Sequence, residues 1–218
     1  MKDASGFNSD LGYRGTYKNY LMFDVNAFAL LYNNTIGIIQ RTDTSGNSYD
    51  FETNVANSLH TGVETYVEIF PVKMITSSNR FGQFSLYNSF SYIRAKYISG
   101  IYKGNWDENA PQFIDRFGLT YAIRSFSITY NFSYTSLCYT DATNTIHDSN
   151  DATVGIIPSY IVMDISASYK FMKHFNVKGG INNLAGVNYF TLRTNEYPGP
   201  GIIPSMGRSF YISIGARF

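Results

Sequence analysis

The sequence predicts an all-β protein, an antiparallel transmembrane β-barrel, on three observations. The chain ends on a strand, 211–218 (YISIGARF), in which Ile212, Ile214, Ala216 and Phe218 share one parity and Tyr211, Ser213, Gly215 and Arg217 the other. Successive side chains of a strand point to opposite faces, so this strand has one apolar and one polar face. The alternation recurs in nine segments, and most run to ten or more residues. Soluble strands average about 5–6 residues, whereas about 9–11 are needed to cross lipid. Short and long connections alternate between the segments, as the two sides of a bacterial outer-membrane barrel do.

The segments span approximately 9–18, 20–38, 60–70, 82–98, 112–123, 125–139, 159–171, 173–183 and 207–218. In the second, Leu21, Phe23, Val25, Ala27 and Ala29 oppose Asp24 and Asn26, although Phe28 and Leu30 fall on the polar side. The third sets Val63, Val67 and Ile69 against Glu64, Tyr66 and Glu68. In the fourth, Arg94 and Lys96 share parity with Phe84, Leu86, Phe90 and Tyr92. They lie at its end, where long side chains reach an interface. The sixth is the most regular: Phe126, Ile128, Tyr130, Phe132 and Tyr134 alternate with Ser127, Thr129, Asn131 and Ser133. The seventh alternates Ile161, Met163, Ile165, Ala167 and Tyr169 with Val162, Asp164, Ser166, Ser168 and Lys170. Short connections fall near Lys18-Asn19, Arg124-Ser125 and Met172-Lys173, with a longer one at 71–81. Long ones fall at 39–59, 99–111, 140–158 and 184–206.

Composition excludes other classes. Mean hydropathy is −0.17, and no apolar run approaches the length of a membrane helix. A net charge of +1 carries no footprint for nucleic acid. The single Cys138 excludes an internal disulfide and a cysteine metal cage. Residues 1–6 lead straight into polar sequence without an export signal. Nine antiparallel strands would leave the first and last running in the same direction, whereas bacterial single-chain barrels have even strand numbers. The expectation is a partial barrel that lacks N-terminal strands and an export signal, with Met1 an artificial beginning and Phe218 a real C-terminus. A standalone small porin or adhesin is the alternative, and the odd count weighs against it.

Four stretches resemble one family. Residues 8–15 (NSDLGYRG), 60–64 (HTGVE), 175–184 (FNVKGGINNL) and 197–211 (YPGPGIIPS, then GRSFY from 207) resemble strands and the last loop of TonB-dependent outer-membrane receptors, closest to the ferric citrate and siderophore branch. The resemblance spans nearly the whole chain. It implies a plugged barrel of about 22 strands, of which residues 1–218 would supply the last nine. The plug domain and earlier strands would be absent. It also implies import of an iron chelate driven by the inner-membrane TonB complex through that plug, and assembly by the barrel-assembly machinery, which would read Phe218. Lipid bilayer and an anionic iron chelate are the expected partners. No cofactor is expected.

Such chelates are anionic, so cations of the long loops are candidate ligand residues. Arg193 and Arg208 lead, with Arg41 and Lys103 behind, and Tyr189, Tyr197 and Trp106 as aromatic cover. The competing reading makes Arg208 a tie between loop and wall and the aromatics an interfacial girdle. His60, His147 and His174 lie too far apart along the strand plan to converge on a metal or catalytic site. Asp141, Asp148 and Asp151 share one loop without EF-hand spacing. Glu64 and Glu68 are expected to line the lumen, and Cys138 to sit inert on the lipid parity near the rim. An enzyme would need a Ser-His or Asp-His pair at the rim, and no nucleophile motif surrounds His60 or His147.

Overall fold

The computed structural model describes residues 1–218 apart from Ser77, Asn79, Lys173, Tyr197, Pro198, Arg217 and Phe218. The chain opens with three long strands, β1 (Ser5–Tyr17), β2 (Leu21–Thr42) and β3 (Ser48–Ile69). A one-turn helix, α1 (Pro71–Ile75), leads to β4 (Gln83–Tyr97), β5 (Phe113–Ile123) and β6 (Phe126–Thr135). Two short strands follow, β7 (Cys138–Tyr139) and β8 (Ile156–Ile157), before β9 (Tyr160–Phe171) and β10 (Phe175–Asn182). The chain closes with β11 (Phe190–Thr194), β12 (Gly201–Pro204) and β13 (Ser209–Ala216). Nine strands make one antiparallel sheet in the order β1-β2-β3-β4-β5-β6-β9-β10-β13, while β7-β8 and β11-β12 form separate two-stranded sheets. Among the described residues no helix is long and apolar enough to cross a membrane, so any crossing is by strands.

Register keeps the two faces apart from edge to edge. One inner row runs Arg14, Asp24, Tyr66, Ser89, Arg116, Ser133 across six strands. Five of these, all but Ser133, line a concave recess of about 660 Å³ with Asp10, Asn26, Glu64 and Ser91. The polar face is therefore the concave one. The convex face carries Leu11, Val25, Val63, Ile212 and Ile214, with Leu11 81% and Ile212 76% exposed. A water-facing wall does not leave an apolar patch of this extent uncovered, whereas a lipid-facing wall must.

Local chemistry fixes the short-turn end. The turns open on Lys18, Arg124 and Met172, with φ of 51°, 51° and 54°. That left-handed start lets a tight turn match the twist of the flanking strands. On the concave face the Tyr87 ring lies over Gly118 of β5, where any Cβ would collide with it. Its hydroxyl reaches past that strand to donate to Asn131 Oδ1 on β6, 3.1 Å away.

The nine segments appear as the nine strands of the main sheet, with three differences. The stretch 39–59, expected as a loop, is mostly strand: β2 and β3 pair from Leu21↔Ile69 out to Thr42↔Ser48. Its alternation is interrupted by a bulge between Tyr32 and Thr35, where Asn34 takes φ 56°. The bulge shifts the side-chain parity and hides the continuation. Second, the sixth segment stops at Thr135, so Cys138 leaves the wall and is buried in β7 opposite Ile157. It is not on the lipid parity; burial there pushes its thiol up to about 11. Third, the connection at 71–81 holds α1.

Candidate functional site

Function-bearing side chains gather at the long-loop end and on the concave wall. Loop 98–112 is fastened to the wall by a buried polar network. His60 projects from the concave face of β3 with Nε2 2.6 Å from Asp107 Oδ2 and 3.4 Å from Ser58 Oγ. Ser58 is fully buried and lies 3.1 Å from Thr35 Oγ1 of β2. Tyr97, 1% exposed at the top of β4, donates its hydroxyl to Glu108 Oε2. Gly37 of β2 permits this packing, since a Cβ there would lie 2.5 Å from Glu108 Oε1. Burial pushes the Glu108 carboxyl up to about 7. Burial acts on Asp107 in the same sense, but hydrogen bonds from His60, Glu108 and Ser58 outweigh it and hold that carboxyl at about 2.

Ser58, His60 and Asp107 together suggest a hydrolase triad, yet the geometry denies it. Serine and aspartate both address the same ring nitrogen, whereas a triad needs the nucleophile on one nitrogen and the orienting acid on the other. Ser58 is also closed to solvent. The cluster fastens a loop.

The next loops are locked to each other. Asp141, fully buried, accepts from Thr143 N at 3.0 Å, Thr145 N at 3.0 Å and Thr145 Oγ1 at 2.9 Å. Asp151 accepts from Ser149 Oγ and from Thr153. These carboxylates shape their loop, and among the described residues no three potential ligands meet as a metal set. Arg193 on β11 reaches back into that loop. It donates to Asp148 Oδ1 at 2.6 Å, Ala152 O at 2.9 Å and Ile156 O at 2.8 Å, with its guanidinium over the Phe190 ring. Its side chain is 2% exposed. Arg193 thus ties two loops, and its donors are spent on the protein itself.

The other candidates separate. Trp106 pairs with Lys96 across an isolated bridge, on the convex side, with the Lys96 ammonium 4.3 Å from its ring centre. Tyr189 stacks on Tyr160 at 4.7 Å at the long-loop end. Arg208 is exposed, with its guanidinium beside Gly186. Arg41 stacks on Phe51 in the outer hairpin, and Lys103 is exposed. Tyr197 and Phe218 lie outside the described residues. Glu64 and Glu68 stand on the concave face; Glu68 accepts from Tyr66 and Ser85. His60 is committed to Asp107, His147 is exposed in its loop and His174 lies at the opposite end.

The reading from sequence passed over Arg14 and Arg116, which point into the concave recess with no carboxylate in ion-pair range among the described residues. Asn26 Oδ1 and Ser91 Oγ face the same recess, buried and without a hydrogen-bond partner among the described residues. The signal was their polar parity, available once the register was known.

Comparison with known proteins agrees with this wall. The chain is similar to the ferric citrate transporter FecA (23% identity, TM-score 0.79), with 97% of this chain and 31% of that one covered. It is similar to the copper transporter OprC (16%, 0.74, with 99% and 31% covered). The ferric yersiniabactin receptor FyuA of Yersinia pestis gives 16% and 0.73, with 99% and 30% covered. At such identities the fold is what is shared, and the chain spans under a third of each of these proteins. Residues 2–184 match the family of TonB dependent receptor-like β-barrels. The chain belongs to that family.

Proposed function

We propose that this chain is the C-terminal wall of an outer-membrane receptor that imports an anionic iron chelate, ferric citrate or a siderophore complex, using energy from TonB. The concave face carries the reading. Arg14, Arg116, Asn26 and Ser91 offer charge and hydrogen bonds that no described residue of this chain takes up. Buried polar groups without partners are costly, so such a wall suits a lumen filled by a polar plug supplied by the rest of the protein. Two further features support it. Among the described residues the sheet leaves β1 and β13 as unpaired edges, and such edges in lipid cost several kcal/mol per group, so further strands complete the barrel. The long loops are pinned by buried networks, giving a fixed mouth. Tyr189 and Arg208 there, Arg116 in the recess below, and Tyr197, named from the sequence alone, are the proposed chelate contacts. Arg193 holds that mouth in shape, and Trp106 anchors it to the interface.

The deciding experiment is uptake of labelled iron by cells whose own chelate receptors are deleted and which carry the full-length gene. Uptake of ferric citrate or a siderophore complex that vanishes when TonB is removed is expected. Uptake indifferent to TonB would refute the proposal. Arg208→Ala is expected to raise the half-saturating chelate concentration about tenfold, the worth of one charge-assisted contact.

A further inference from the structure

We propose that the convex face of β4 above its aromatic row, Arg94 and Lys96 backed by Trp106, binds the phosphate groups of an anionic glycolipid in the outer leaflet. The inference rests on the outer-membrane reading above and concerns the outside of the wall, away from the chelate path.

Register sets the face. Arg94 lies opposite Thr61 and Lys96 opposite Leu59, in line with Tyr92 opposite Val63. All three therefore project to the convex, lipid-facing side. Tyr92 and Phe90 pack against Phe113, with ring centres 5.1 and 6.3 Å apart, and mark the outer aromatic row. Arg94 is the next convex residue beyond that row and Lys96 the one after, about 7 and 13 Å further along the strand. Aromatic rows sit at head-group level, so both cations stand at the height of the lipid phosphates.

No local acid neutralises them. Asp107 and Glu108, the acids of the adjoining loop, are turned inward to His60 and Tyr97. Asp115, an acid on the convex face, is level with Phe90, four residues (about 13 Å) short of Arg94 along the strand, and is bonded to Asn88 at 2.6 Å. Arg94 is exposed and in no ion pair among the described residues. Lys96 is held in place: its ammonium donates to Gly104 O at 3.0 Å and sits over the indole of Trp106. Asn144 holds the Trp106 backbone, accepting from its N–H at 2.7 Å and donating to its carbonyl at 2.8 Å. A planar guanidinium that grips phosphate oxygens in pairs and a positioned ammonium about 7 Å away make a two-point phosphate site. Cations that merely reached for water would need neither a fixed ammonium nor an acid-free surround.

The test uses the full-length receptor extracted from outer membranes in mild detergent, with co-purifying lipid A measured by mass spectrometry. The double variant Arg94→Gln, Lys96→Gln should carry about tenfold less lipid A than the wild type, and Arg94→Lys should retain most of it. Bisphosphorylated lipid A should rebind to delipidated wild-type protein, while dephosphorylated lipid A should not. Heat-modifiable migration shows that each barrel is folded, and the single Arg94→Gln change serves if the double variant fails to fold. Equal lipid A on folded wild-type and variant barrels overturns the inference. So does displacement by millimolar inorganic phosphate, which would make it a site for the free anion. A wild-type protein that never reaches the outer membrane overturns the membrane reading and this inference together.

Discussion

Glu108 sits with its carboxyl against Gly37 and under the Tyr97 hydroxyl, and its affinity for a proton is raised to about 7. The sign follows from linkage: a carboxyl that binds its proton more tightly when the loop is docked stabilises docking at low pH and loses that contribution as pH rises through about 7. Asp107 works the other way, favouring the docked loop at every pH well above about 2. After the intrinsic, base-catalysed rise in amide exchange is divided out, loop 98–112 is therefore expected to be less protected at pH 8 than at pH 6, and Glu108→Gln to abolish that difference in protection; an unchanged protection profile in that variant would sink the assignment. On the convex side Asn88 donates to Asp115 within the apolar band. Asn88→Ala is expected to lower barrel stability by about 1–3 kcal/mol, the cost of leaving a buried acceptor unpaired, read as a lower temperature of heat-modified migration. Neither pair was legible in the sequence. Parity placed His60 on a polar face, but its partner Asp107 lies 47 residues away in a loop that no periodicity organises. The cationic candidates were visible as residue types only, and burial turned Arg193 from a ligand candidate into a tie.

At the scale of strands, alternation carried most of the fold. β6 and β9 were legible to within a few residues because one face is in lipid and the other is polar, so every second residue is constrained. Ile128→Arg in β6 or Ile165→Arg in β9 should therefore block assembly, since Arg on the lipid face near the midplane costs about 2–4 kcal/mol. Normal heat-modifiable barrel from both variants would overturn the face assignment. The β2–β3 extension was not legible, because the bulge at Asn34 resets parity and Thr, Asn, Asp and Ser beyond it read as turn formers. The small sheets β7-β8 and β11-β12 are too short for any period to show. What binds them together is Arg193, and Arg193→Ala should cost that junction about 2–3 kcal/mol. Limited proteolysis within 145–156 should then speed up while the barrel itself resists; equal cleavage rates would mean that the loops hold without it.

For the molecule as a whole, a continuous sheet with two free edges is a surface awaiting completion. Residues 1–218 alone, refolded in detergent, are expected to give no heat-modifiable monomer, whereas the full-length chain should; a stable monomer from the fragment would mean that the edges close on each other. The sequence made the odd strand number visible, and the structure shows what it entails, since β1 presents a 13-residue edge. The β2–β3 hairpin has a different consequence. It rises past the bulge through regular pairing from Ile36↔Asn54 to Thr42↔Ser48, about 23 Å of extended chain. Its tip folds on itself, Asp43 accepting from the backbones of Ser45 and Asn47. With the long-loop end facing outward, as the proposed function has it, an antibody, a phage or a neighbouring bacterium would meet that tip early. The hairpin would then be an antigen as much as a wall, since its tip is shaped by its own hydrogen bonds.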